Sequence, residues 1–240
     1  MEAIVFQINI CDRGKIKRKE VKGILIHTTG SGIVKKAIAK KKKPIEYAIE
    51  YYKTGSAYPH YLIDWNGDIF KFCDELKYAA HAKWSNDEKK LYDTADWLVC
   101  NEKEGKLTQV NPKIYQFWLD KWGMKRGLDY KSPKDILKQI GGKSPNEAFI
   151  GIEMLDKKPS FTKEQHYALS ELIEEICVRH KLLDVSKIMK NTLPQAWLCT
   201  HSDVSPIRRW AIRKNGSGFA YDCLENQLDW NKLVKEWNNE

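Results

Sequence analysis

Gly23-Ile24-Leu25-Ile26-His27-Thr28-Thr29 is the stretch on which the fold turns. Its apolar and β-branched density predicts a buried strand. Gly30-Ser31-Gly32 breaks that strand, and Ile33 to Tyr52 then follows helical spacing, with Ile33, Ala37 and Ile38 opposite a row of lysines. The same change of period recurs downstream. Ala148 to Met154 predicts a second buried strand, and Thr162 to His180 a helix whose Thr162 and Gln165 form a capping box. Trp197 to Thr200 predicts a short strand, and Leu228 to Trp237 a closing helix. Between the first helix and the second strand, Tyr61-Leu62-Ile63-Asp64 and Ile69-Phe70-Lys71-Phe72 flank Asn66-Gly67, a pair suited to a tight primed turn with both residues at positive φ. Alternating strands and helices of this kind predict a single α/β domain with a mixed central β-sheet flanked by helices.

Residues from about 85 to 145 are less regular. Leu91 to Cys100 fits a helix, and Ile114 to Trp122 carries aromatics at helical spacing, a pattern more common in cores than around ligands. This stretch reads as an insertion that packs on the main domain and helps to wall a groove.

Composition sets broad limits. The 240 residues are 42% hydrophobic and 30% charged, the balance of an ordinary globular chain. No apolar stretch approaches the roughly 18 residues of a membrane span. The first residues, Met1 to Gln7, lack the pattern of a Sec-type signal peptide, so a cytoplasmic location or a non-Sec route outward is expected. The six cysteines are scattered without a Cys-x-x-Cys pair and are expected as buried thiols. Net charge is +9, in part from Lys35-Lys36 and Lys40 to Lys43. A basic surface favours polyanions, although a lysine run is most often a solvated helix face.

Three predicted strands end on polar groups able to do chemistry: His27, Glu153 and, just beyond Thr200, His201. Taken singly, each histidine has an ordinary packing explanation. Together with the later pair Asp222-Cys223 they match the ligand types of an open zinc site, two imidazoles plus a carboxylate or thiolate, with Glu153 as a proton carrier.

The ordered set resembles the zinc-dependent N-acetylmuramoyl-L-alanine amidases, the type-2 amidases related to peptidoglycan recognition proteins. The segments that carry the resemblance are Ile24 to Thr29, Pro59 to Gly67 with Ala79-Ala80-His81-Ala82, Asn146 with Ile150-Gly151-Ile152-Glu153 and the following Phe161 to Gln165, and His201 to Pro206. The resemblance implies one Zn2+ per chain held by His27, His201 and a third ligand. That ligand is Asp222 or Cys223, with Asp222 favoured because Arg209-Trp210 and Gly216-Ser217-Gly218 echo a long loop that leads to an aspartate in one branch of the family. It further implies Glu153 as general acid/base, His81 and Asn146 as substrate-binding residues, His60 as structural, and peptidoglycan or muropeptides as substrate. The lysine that many members carry two residues before the third ligand is absent, since Ala220 or Tyr221 stands there. Arg213 and Lys214 are the nearest stand-ins. The alternative is an inactive recognition module that binds muropeptides without cutting them. Specific nucleic-acid binding has no motif behind it, and oligomeric state is not legible.

Overall fold

Strand β2, Gly23–Thr28, is buried at every position, as befits a strand covered on both faces. It belongs to a computed structural model that describes residues 5–8, 18–82, 98–101, 106–109, 141, 143–182, 198–201, 210–212, 218–220, 228 and 233. For 98–101, 106–109, 210–212 and 218–220 the description covers the backbone alone.

The remaining elements are β1 (Val5–Gln7), α1 (Gly30–Ala39), α2 (Pro44–Thr54), β3 (Tyr61–Ile63), β4 (Ile69–Lys71), β5 (Leu98–Asn101), β6 (Lys106–Gln109), α3 (Pro145–Ala148), β7 (Phe149–Met154), α4 (Lys163–His180), β8 (Leu198–Thr200), β9 (Trp210–Ile212) and β10 (Gly218–Ala220). Six strands form a mixed sheet in the order β1-β4-β3-β7-β2-β8. Its centre is parallel: β2 runs alongside β7 and β8, and β7 alongside β3. The β3–β4 pair is antiparallel. The expected α/β class with a mixed sheet is therefore the observed one.

Alternation along the central strands divides the core. Ile24, Ile26, Ile63, Ile150 and Ile152 share one cluster with Leu169, Leu172, Ile173 and Ile176 of α4. Leu62 shares the other with Ala37 of α1, Tyr47, Ala48 and Tyr52 of α2, and Phe72. Helix α4 begins as the sequence predicts: the Thr162 hydroxyl accepts from the Gln165 N–H, and the Gln165 side chain closes the box on the Thr162 N–H. Cys73, Cys177 and Cys199 are buried thiols. Among the described residues no helix is long and apolar enough to cross a membrane.

Three local expectations are corrected. The single helix over Ile33 to Tyr52 is two helices, because Pro44 starts α2 at its first turn and holds Lys43 extended, while Lys41 sits at φ 54°. The β3–β4 turn is not a primed turn of two residues. Asp64 Oδ1 accepts the N–H groups of Asn66 and Asp68, and only Gly67 takes positive φ, 85°. Leu98 to Cys100, expected at the end of a helix, form strand β5, paired with β6 and, in parallel, with β9. A second sheet results, of order β10-β9-β5-β6, in which strands from the expected insertion pair with strands that follow His201. Most of the rest of the insertion, including Leu91 to Trp97 and the aromatic stripe Ile114 to Trp122, lies outside the described residues, as does most of the expected helix Leu228 to Trp237.

Candidate active site

The parallel register of β2 and β7 sets His27 directly opposite Glu153, one residue after the Ile26–Ile152 pair. Neighbours in register point to the same face of a sheet, so the imidazole and the carboxylate share the face that carries Leu25 and Gly151. Ile26 also pairs with Thr200 at the end of β8, so His201 emerges beside His27. His27 is fully buried and His201 nearly so. Their Nδ1 atoms stand 2.9 Å apart, with the rings close to perpendicular. Glu153 is half-buried, with Oε2 shielded from solvent.

His81 completes the cluster from a loop that follows β4. Its Nδ1 is 3.0 Å from His27 Nε2, and its Nε2 is 3.2 Å from the Phe149 carbonyl. A carbonyl oxygen only accepts, which fixes the proton of neutral His81 on Nε2 and leaves Nδ1 as an acceptor. His27 must then carry its own proton on Nε2, and its Nδ1 presents a lone pair toward His201. Burial holds His81 well below the ordinary histidine range, and the neighbouring His27, His60 and Arg18 add to the effect. The neutral form that this proton arrangement needs is thus the form that the surroundings favour.

Gly151 makes room for the ring. A Cβ built there would come within 2.5 Å of the His81 imidazole, so the glycine between Ile150 and Ile152 serves a close approach. Asn146, one turn before β7, is almost fully buried. Its Oδ1 accepts the backbone N–H groups of His81 and Ala82, and its Nδ2 donates to the Tyr78 hydroxyl. Through these bonds the Asn146 amide ties α3 to the His81 loop. His60 lies behind His81 at 5.6 Å between ring centroids and accepts the Gly151 N–H at Nδ1. Beside it the buried Arg18 donates to the carbonyls of Glu75 and Phe149. Burial first, and then the Arg18 charge, keep His60 well below the ordinary histidine range. Arg18 and Tyr78 escaped the sequence reading, and Gly151 entered it only as part of a strand motif, although a residue without a side chain inside an apolar run is itself a signal of close approach.

The donor set fits part of a zinc site. Two nitrogen ligands on tetrahedral zinc stand about 3.3 Å apart, near the separation of the two Nδ1 atoms, and a ligating histidine ordinarily donates its other N–H to a second group, as His27 does to His81. Among the described residues no three His, Cys, Asp or Glu side chains form a metal-holding group. Asp222 and Cys223 lie outside the described residues.

A sequence profile described as N-acetylmuramoyl-L-alanine amidase matches residues 17–215. No curated protein matches the chain. Similar solved structures include the Staphylococcus aureus hydrolase AmiA in complex with its ligand, 12% identical over 99% of this chain and 84% of that one, with a TM-score of 0.47. The N-acetylmuramoyl-L-alanine amidase LysC from Clostridium intestinale URNW is 12% identical over 99% of both chains, with a TM-score of 0.43. Citrobacter freundii AmpD is 12% identical over 98% of this chain and 90% of its own, with a TM-score of 0.37.

Proposed function

The chain belongs to the N-acetylmuramoyl-L-alanine amidase family, and on that premise we propose that it hydrolyses the amide joining N-acetylmuramic acid to L-alanine in peptidoglycan or muropeptides, as a zinc enzyme. The observation that carries this reading is the 2.9 Å approach of two buried imidazole Nδ1 atoms, at the register position of a carboxylate.

His27 and His201 would hold the metal through Nδ1, with Asp222 as third ligand. When bound, zinc supplies Lewis acidity, bringing the pKa of a water from about 16 towards 7 and polarising a carbonyl. The remaining steps fall to the chain's own groups. Glu153 takes a proton from the attacking water as the new C–O bond forms at the lactyl carbonyl carbon. It then returns that proton to the nitrogen of L-alanine as the C–N bond breaks, leaving a carboxylic acid on the sugar, which gives up its own proton to solvent, and a free amine on the peptide. His81 holds His27 in the tautomer that presents Nδ1, and Asn146 holds His81.

Zinc content and release of stem peptide from muropeptides, measured together on the wild type and on Asp222→Ala and Cys223→Ala, test the reading. One zinc per chain with cleavage is expected, and the substitution that loses metal identifies the third ligand. Muropeptide binding without zinc or cleavage would replace the enzyme with a recognition module.

A further inference from the structure

Six lysines between Lys35 and Lys43 have no part in the site just described. Helix α1 begins at Gly30, two residues after the end of β2, and finishes at Ala39. At 1.5 Å per residue its far end stands about 15 Å from its start, so a stiff rod joins the His27 strand to the lysines. Helix α2 neutralises only the last two: Lys42 pairs with Glu50 at 2.5 Å and Lys43 with Glu46 at 3.9 Å. Lys35, Lys36, Lys40 and Lys41 are exposed, and among the described residues none of them forms an ion pair. Lys40 rests over the Tyr47 ring. A helix C-terminus gains about 0.3–1 kcal/mol from a cation in its last turn, which accounts for Lys36 and not for a cluster of this size.

We propose that Lys35, Lys36, Lys40 and Lys41 form a docking surface for the anionic peptidoglycan polymer, so that the substrate is the intact wall in preference to released fragments. This rests on the amidase reading above and adds the form of the substrate. Charges in water are screened over about 10 Å at 0.1 M salt. Along α1, Lys35 and Lys36 stand about 8 to 9 Å from the helix start, and Lys40 and Lys41 about 15 Å or more, so a muropeptide seated beside His27 feels little of the far pair. A polymer with carboxylates repeated along its peptides reaches both places at once. Nucleic acid and anionic membrane offer the same sign of charge, but neither is joined to the chemistry of the site.

The test compares the wild type with Lys35→Gln, Lys36→Gln, Lys40→Gln and Lys41→Gln combined, four exposed changes of which only Lys40→Gln removes a core contact, that over the Tyr47 ring. Co-sedimentation with insoluble purified peptidoglycan is measured at low and high salt, beside hydrolysis of a soluble muropeptide. The wild type should pellet at about 0.05 M salt and be released at about 0.5 M, and the variant should lose roughly tenfold or more in retention. Its hydrolysis of the fragment should stay within about twofold of the wild type. Equal pelleting of the two proteins overturns the proposal, as does tighter salt-dependent retention on duplex DNA or anionic vesicles than on peptidoglycan. Lysine-dependent pelleting with neither the fragment nor the pelleted wall cleaved by either protein upholds the surface and removes the amidase reading.

Discussion

His81 occupies the space that a side chain at Gly151 would need: a Cβ there would stand 2.5 Å from the ring. Gly151→Ala therefore displaces the imidazole from its place between His27 and the Phe149 carbonyl. Overpacking of this kind costs about 1–3 kcal/mol, a fall in Tm of roughly 5 °C for a chain of this length. Muropeptide hydrolysis should fall by far more than the loss of folded protein explains. Full activity in a folded Gly151→Ala protein would take His81 out of the mechanism.

Asn146 gives a second, separable test. Asn146→Ala leaves the buried N–H groups of His81 and Ala82 without their acceptor, at about 1–3 kcal/mol for each. A positioning role predicts a lower kcat with KM little changed. A raised KM at constant kcat would return Asn146 to direct contact with substrate.

Glu153→Gln keeps the shape of the side chain and removes its ability to take a proton. Turnover should drop by about 10²–10⁴, and zinc content should match the wild type. Retained turnover would assign the proton transfer to another group.

Far from the site, Glu75 supplies a pH-dependent contribution to stability. Its buried carboxylate accepts from Arg179, His180 and the Tyr61 hydroxyl. Burial by itself raises its pKa, but the hydrogen bonds from Arg179, Tyr61 and His180 outweigh it and bring the value down to about 2. A carboxylate depressed in the folded state stabilises fully above its unfolded pKa, near 4.5, and that contribution is lost as pH falls toward 2. With Arg179 half exposed to solvent, Glu75→Gln should cost on the order of 2 kcal/mol at pH 7. The gap in Tm between the two proteins should close between pH 5 and about 2. A gap that stays constant over that range would mean that the effect is packing and not charge.

The central sheet was legible in the sequence because its strands are buried on both faces and read as short unbroken apolar runs, each ending on a polar residue. Thr162 and Gln165 announced α4 through a local motif that needs no tertiary help. Pro44 should have divided the first helix, yet the lysine run kept its helical spacing across the break. Leu98 to Cys100 misled because three apolar residues satisfy either period, and pairing with β6 and β9 decides between them. At the site, His27, Glu153 and His201 could be named because each ends a strand. Arg18 and Tyr78 could not, since their roles arise from contacts across 42 and 68 residues of chain. The proton arrangement of His81 depends on a main-chain carbonyl, which no residue type encodes.

The 174 residues between His27 and His201 also set a clock. At a synthesis rate of roughly 5–20 residues per second, about 9 to 35 s separate the emergence of the two histidines from the ribosome. The sheet can begin to pair at β3 and β4 while β8, the strand that leads to His201, does not yet exist. On the proposed reading, with both histidines needed for the metal, no nascent chain is active before His201 has been added, which spares a cell that makes it from any partly built but active form.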